Sequence, residues 1–422
     1  MDRDKLDLWF LVGSRGTRSF AGGILSVIIS LYYKSVFTSL TLVGILLGAG
    51  AIGVPLISFA TGRYADKYGR KKLLLLTIAL LPAALIMLLV TANFYVLILS
   101  AALGGFGIAG GLVGGGVGAA VVPMQSALLA EKTNAGNRTL VFSLFTVMSS
   151  ITGSVGALAS NLGDFHSLFV IALAFSAFSL IFAIPIKENF RPKNRAVPAG
   201  AGTEGSGELS GPKEVGKPLE SGRDKNENRT TIRKFIITGA INGASQGLII
   251  QFLPLILHYQ MHLGQGQIGD LFAVGGFSSA LFMLAAPYMT EKLGFVRFIV
   301  YSRALSAAFM IYFPFATSAI LASIAYVIFT IFRAIALPTQ SSLMMNLVDE
   351  ETRANASGSN QAARLIPSAC AAPVSGVIQD FLGYIIPFEI AFVMSSLNIY
   401  LYLKFFGKIA GANRHEIIVH ES

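Results

Sequence analysis

The chain has a single cysteine, Cys370, among its 422 residues, together with one tryptophan and five histidines. A lone cysteine excludes a disulfide framework and, with so few histidines, argues against a Cys/His metal cluster. Charged residues are also scarce, at 13% of the sequence, whereas about a quarter is usual in a soluble protein. The sequence therefore does not have the surface of a soluble protein, and we expect no metal and no cofactor.

Signatures of catalysis and of nucleotide hydrolysis are missing as well. No Gly-Lys-Ser/Thr follows the glycine-rich stretch 104–118, which excludes a Walker-type ATPase. The segment 105–110, GFGIAG, matches G-x-G-x-x-G, but it lies inside an apolar run too long for the strand of a dinucleotide-binding fold. No histidine, acid and nucleophile converge in the apolar runs, so we predict that the protein is not an enzyme.

Long apolar runs dominate what is present, since 54% of the residues are hydrophobic. A helix needs about 20 such residues to cross a bilayer core about 30 Å thick. The sequence contains twelve runs of this kind, six in each half. They are 8–32, 40–60, 73–92, 95–120, 139–160, 167–186, 234–257, 267–288, 296–315, 318–340, 357–379 and 383–405. We predict an all-α membrane protein whose 12 transmembrane helices lie in a lipid bilayer.

The two halves of the sequence repeat one another. Residues 123–138, PMQSALLAEKTNAGNR, recur at 338–353 as PTQSSLMMNLVDEETR, with Pro, Gln, Ser, Leu and Arg matched. The matched pairs include Gln125 with Gln340. Equivalent halves in an apolar chain are typical of transporters built from repeats, which bind substrate where the halves meet. The repeat predicts two pseudo-symmetric six-helix bundles, and the glycines of 104–118 predict close helix packing or a broken fourth helix.

A polar segment separates the predicted bundles. Residues 187–232 are rich in Gly, Pro, Ser, Glu and Lys and have few aromatic or branched residues, which predicts a disordered linker. The predicted domains are an N-terminal bundle at 1–186, this linker, a C-terminal bundle at 233–406 and a tail at 407–422.

Basic residues lie mainly on one predicted side of the membrane. Most of the 32 Lys and Arg occur at the N-terminus, after the even-numbered runs, in the linker and in the tail. Cytoplasmic loops collect Lys and Arg, so both termini are predicted to be cytoplasmic in a multi-pass protein of the cell membrane. This orientation explains the net charge of +10 without nucleic acid as a partner.

The loop after the second run carries the sharpest motif, GRYADKYGRKK at 62–72. It resembles the signature loop of the major facilitator superfamily, G-x-x-x-D-R-x-G-R-R/K. The matching residues, predicted to form a gating motif, are Gly62, Asp66, Gly69, Arg70 and Lys71. The glycine at 62 would let two helices approach closely, and the acid at 66 can pair with the arginine four residues later.

The resemblance implies a fold, a mechanism and a role for the motif. It implies two six-helix bundles that move a small solute by alternating access, without ATP, in a protein expected to be a monomer. In the family the acid of the motif contacts the start of the eleventh helix, here near 352–357, and holds the outward-open state. A coupling ion is possible in this family, but the acids of the chain do not identify one.

Polar residues inside membrane spans are costly, which makes them candidates for substrate contact. In the family, helices one, four, seven and ten line the central cavity, with five and eleven beside them. The candidates on such helices are Arg15, Arg18, Asn242, Gln246, Arg333, Gln361 and Arg364. The competing interpretation is that Arg15 and Arg333 extend to the membrane interface, as expected of Arg303 near the start of the ninth run.

Two solute classes remain open at this point. Arginine suits bidentate binding of carboxylate or phosphate and therefore favours a small organic anion or metabolite. The aromatic and methionine content of the spans favours efflux of amphipathic drugs, although the fifth run lacks the G-x-x-x-G-P-x-x-G-G pattern of drug–proton antiporters. A third hypothesis, a transporter-like receptor or scaffold, would not need an intact motif at 62–72.

Overall fold

A computed structural model describes residues 3–108, 119–133, 135–188, 225–349 and 352–407. Within these ranges the regular secondary structure is helical, without strands. Ten helical segments, of 19 to 32 residues, are long and apolar enough to cross a membrane. The protein is therefore an all-helical, multi-pass membrane protein, as the apolar runs predict.

The described part of the first half contains seven α-helices. They are α1 (Arg3–Val36), α2 (Leu40–Tyr68), α3 (Arg70–Val90), α4 (Phe94–Gly104), α5 (Val122–Glu131), α6 (Ala135–Leu158) and α7 (Phe165–Ala183). Helix α1 packs on α6 and α7, while α3 packs on α4 and α7 and α2 packs on α4.

The described part of the second half contains seven more. They are α8 (Lys225–Ile249), α9 (Leu253–Tyr259), α10 (Gln265–Leu293), α11 (Phe295–Tyr312), α12 (Ala319–Leu347), α13 (Arg353–Leu382) and α14 (Ile385–Phe406). Helix α8 packs on α13 and α14, α12 packs on α10 and α11, and α11 also packs on α14.

The fourth apolar run, 95–120, is not one continuous helix. Helix α4 ends at Gly104, the next glycine is left-handed with φ of 66°, and the chain is helical again at α5. A Cβ atom on Gly107 would lie 1.7 Å from the carbonyl oxygen of Leu47 in α2, so no other residue fits there. Both expectations for this stretch, a broken helix and close packing, are confirmed up to residue 108, while 109–118 fall outside the described residues.

Helix α8 begins earlier than the composition indicates. Residues 225–232, predicted as linker, are helical, and Asn228 and Thr231 are already buried. The Asn228 amide donates a hydrogen bond to the carboxylate of Asp349, which fixes this turn against the end of α12. The predicted linker therefore extends too far at its C-terminal end. Contacts with the rest of the protein stabilise these polar residues as helix, which their composition alone does not indicate. The rest of the segment, 189–224, and residues 408–422 of the tail lie outside the described residues.

We call the side of the molecule that carries the turn between α2 and α3 the linker face, and the opposite side the far face. The two halves pack tightly at the far face, α2 against α13 and α6 against α10. A Cβ atom on Gly44 would lie 2.5 Å from the carbonyl oxygen of Ala372, and one on Gly376 would lie 2.3 Å from that of Leu40. Backbone therefore meets backbone along this contact, which we call the far-face seam.

Polar side chains reinforce the far-face seam at α2. The carboxylate of Asp380, at the end of α13, accepts hydrogen bonds from Ser39 Oγ at 2.6 Å and from the Leu40 backbone nitrogen at 2.8 Å. It also accepts bonds from the backbone nitrogen and the hydroxyl of Thr41, at 2.9 and 2.8 Å. An acid of the second half thus caps a helix of the first, where the helix dipole favours negative charge.

A second polar contact joins the turn that follows α6, residues 159–162, to α10 at the same face. The Asn161 amide donates to the carboxylate of Asp270 at 2.9 Å. The Gln265 amide donates to the carbonyl oxygen of Ser160 at 2.8 Å. The two halves are therefore hydrogen-bonded at both of these contacts.

Candidate functional site

Two arginines of α1 meet one glutamine inside the first half. Arg15 Nη1 and Arg18 Nη2 both donate to Gln125 Oε1, at 3.3 and 3.1 Å. Arg15 Nε also donates to Ser149 Oγ at 3.0 Å, and its guanidinium carbon lies 5.2 Å from the centroid of the Phe145 ring. The arginines are only 5% and 2% exposed, so the interpretation that Arg15 reaches the membrane interface is wrong.

The oxygen that these arginines share carries no formal charge. The amide of Gln125 therefore orients the two guanidinium groups without neutralising them. The described acid of α1 is Asp7, about two turns before Arg15. It pairs with Lys132, the residue that follows α5, at 3.0 Å. Burying a charge is costly unless an opposite charge or several hydrogen bonds compensate it.

The second half contains a related arrangement around Arg303 of α11. Its Nη2 donates to Gln340 Oε1 at 2.5 Å, its Nη1 donates to Asn398 Oδ1, and its guanidinium carbon lies 4.5 Å from the centroid of the Tyr402 ring. The side chain is 9% exposed, so the expectation that it extends to the interface is wrong. Sequence reasoning missed this residue, although Gln340 is the repeat counterpart of Gln125.

Three predicted cavity residues line one pocket of the second half. Asn242 and Gln246 of α8 and Arg333 of α12 border it, together with Arg303. Gln246 Nε2 donates to Asn242 Oδ1 at 3.3 Å, across one helical turn. These three residues therefore lie around one pocket, whose walls come from α8, α11, α12 and α14. That they contact a solute stays a prediction.

The two candidates on α13 occupy different environments. Gln361 is exposed and lies outside the pocket lining. Arg364 is partly buried beside α8, where a Cβ atom on Gly243 would lie 2.1 Å from the Arg364 carbonyl oxygen. Its guanidinium is close enough to interact electrostatically with those of Arg303 and Arg333. The second half thus concentrates three arginine side chains in its interior.

The loop motif organises the turn between α2 and α3. Gly69 adopts φ of 91°, ends α2 and precedes α3, a conformation that residues with a Cβ rarely take. The carboxylate of Glu188 accepts hydrogen bonds from the backbone nitrogens of Arg70 at 2.6 Å and Lys71 at 2.9 Å. Sequence reasoning missed Glu188, because its role depends on a contact across more than a hundred residues.

Two expectations about the motif have different outcomes. A Cβ atom on Gly62 would meet nothing within 4 Å, so the expected close approach of two helices at this glycine is wrong for this conformation. The side chains of Asp66 and of residues 353–355, at the start of α13, lie outside the part of the structure that can be described. The predicted contact between them stays a prediction.

Comparison with known families decides the classification. The sequence matches the family model of the Major Facilitator Superfamily over residues 11–372 and again over 235–414. The chain belongs to the major facilitator superfamily. It is therefore a multi-pass membrane protein of a transporter family, and its arginine clusters are read in that context. A search of curated protein sequences gives no match.

Solved structures of other transporters share this fold at low sequence identity. The nucleoside transporter NupG has a TM-score of 0.70 at 15% identity, covering 96% of this chain and 99% of that one. The human organic anion transporter MFSD10 (TETRAN) has 0.65 at 13%, covering 95% and 100%. A D-xylose-proton symporter has 0.69 at 12%, covering 94% and 97%. At such identities the similarity establishes the fold, and the solute must be argued from the residues.

Proposed function

We propose that this superfamily member carries a small organic anion across the cell membrane by alternating access. The observation that supports this most is the pair of buried arginines on α1, Arg15 and Arg18, which share the neutral oxygen of Gln125. A carboxylate or phosphate group on the solute would neutralise them, and arginine binds such groups through two parallel hydrogen bonds.

The architecture we propose has twelve membrane spans in two pseudo-symmetric bundles, at 1–186 and 233–406. Helices α4 and α5 together form the fourth span, and α8 and α9 form the seventh. Two observations support this division. Helices pack on one another within each half, and the tightest contacts between the halves lie at the far-face seam. The linker face would be cytoplasmic, with both termini, so the conformation is inward-open.

The solute would bind between the halves, with Arg18 on one side and Arg364 on the other. Asn242 and Gln246 of α8 add neutral donors and acceptors to the second wall. An anion placed between two positively charged walls attracts both, and it therefore favours the conformation in which they are closest. Binding energy would thus be used to close the linker face and release the far-face seam.

Ligand-dependent melting of the purified full-length protein tests the solute class. Carboxylates and phosphate esters should raise the melting temperature saturably, because a ligand that binds only the folded state at a hundred times its Kd adds about 2.7 kcal/mol. Uptake of the same compounds into proteoliposomes would then establish transport. Stabilisation by cationic amphipathic drugs alone would contradict the proposal and support drug efflux.

The loop motif provides a separate prediction about the conformational equilibrium. Replacing Asp66 by asparagine should shift the population toward inward-facing and lower transport, without preventing folding. A charge at a helix end contributes about 0.3–1 kcal/mol, which shifts a balanced equilibrium about two- to fivefold. Labelling of introduced cysteines from each side of the membrane measures the shift. The matched control is Glu291→Gln, at the exposed equivalent position of the second half, and equal effects of both changes would contradict a specific role for the acid of the motif.

A further inference from the structure

A pocket with both apolar and polar walls lies within the second half, among α8, α11, α12 and α14. Its charged and polar lining includes Asn242, Gln246, Arg303, Ser306, Arg333 and Asn398. None of the described lining residues is acidic, and none comes from the first half. The described lining therefore brings two guanidinium groups together and contributes no carboxylate.

The guanidinium of Arg303 is held in a fixed orientation. Its two terminal nitrogens donate to Gln340 of α12 and Asn398 of α14, and Asn398 donates in turn to the Thr238 carbonyl oxygen of α8. The Tyr402 ring lies against its face at 4.5 Å. Three neighbouring helices thus position one buried cation, and such preorganisation lowers the cost of ordering that accompanies ligand binding.

The charge of this cation is not compensated by its partners. Both oxygens that accept its hydrogen bonds belong to neutral amides. Arg364 adds positive charge within electrostatic range, and Arg333 lines the same pocket. Like charges repel strongly where water is excluded, because the local dielectric constant is low. A purely structural network would gain stability from a carboxylate at this place, so the absence of one from the described lining favours an exchangeable anion.

We propose that this pocket binds a small anion between Arg303 and Arg333. The ligand is a halide, an inorganic oxyanion or a carboxylate group, since these share the negative charge and the acceptor capacity that the donors of the pocket require. The pocket shares Asn242 and Gln246 with the proposed second wall of the solute site, but its arginines are not those of the Arg15/Arg18 pair. Anion binding here rests on the proposed function and extends it, because it assigns a second group of anion-binding residues to the second half.

Anion-dependent melting of the full-length protein tests the site. Chloride, phosphate and acetate are titrated separately in a zwitterionic buffer of low ionic strength. At least one of them should stabilise the wild type saturably, and Arg303→Gln should weaken its apparent affinity by about tenfold or more. Arg303→Lys should recover part of this, because a single ammonium group keeps the charge but not the planar fork.

The same helix supplies the control. Arg297 of α11 is exposed, so Arg297→Gln removes an identical charge without touching the pocket and should retain the affinity of the wild type.

Binding of chloride or phosphate identifies a free inorganic anion, whereas binding of acetate alone identifies the carboxylate of a solute. If Arg303→Gln does not fold, Arg303→Lys and Arg333→Gln provide the comparison. No response of the wild type to any of the three anions, or full affinity in the pocket variants, would overturn the proposal.

Discussion

Replacing Arg18 by glutamine should weaken binding of the transported anion by about ten- to a hundredfold while leaving membrane insertion intact. A hydrogen bond to a charged group is worth about 1.5–3 kcal/mol, which corresponds to that change in Kd. The Arg18 side chain is 2% exposed and donates to Gln125 Oε1 at 3.1 Å, so it is already oriented before an anion arrives. Replacement by lysine should recover only part of the affinity.

The experiment compares ligand affinity and melting temperature in the same preparations. Arg364→Gln removes the proposed partner from the opposite wall and should have a similar effect on affinity. Arg233→Gln, on an exposed position of α8, controls for the loss of one positive charge and should match the wild type. If both Arg18→Gln and Arg364→Gln retained full affinity, these residues would not belong to the solute site, and drug efflux would become the preferred function.

Replacing Asp380 by asparagine should open the far face in a larger fraction of molecules. The carboxylate accepts four hydrogen bonds from the first turn of α2, and its charge favours the positive end of that helix. Asparagine keeps the shape of the side chain but loses its charge. Because the site is exposed and screened, the closed far face should lose about 1–2 kcal/mol of stability, which shifts the closed–open equilibrium about five- to thirtyfold toward open.

A buried residue of the seam reports the opening. Ser160 is 1% exposed beside α10, so a cysteine at this position, in a chain with Cys370→Ser, reacts only when the seam separates. Asp164→Asn is the matched control, since Asp164 caps α7 by accepting a hydrogen bond from the Ser167 backbone nitrogen within its own half. Faster labelling in Asp380→Asn alone is expected, and equal labelling in both variants would show that Asp380 does not hold the halves together.

The apolar spans, the repeat and the motif loop could be predicted from the sequence. Each depends on residues that lie close together in the chain or on a direct match between two segments. The arginines of α1 were predictable for the same reason, since an arginine within an apolar run is conspicuous. Asp380 was not predicted as a cap, because its partners lie about 340 positions away in the sequence. Glu188 and Arg303 were missed for a similar reason, as their roles depend on which helices become neighbours.

The glycines of the far-face seam bear on how the transporter moves. At Gly44 and Gly376 the two halves touch through main-chain atoms, so this part of the closure has no side chains that can rotate aside one at a time. A solute at the far face therefore cannot enter here through a small flap. The backbones of α2 and α13 must separate together, and packed interfaces of this kind switch between discrete arrangements and do not deform gradually. Access from the far face should accordingly be all-or-none, with the whole seam acting as one cooperative unit.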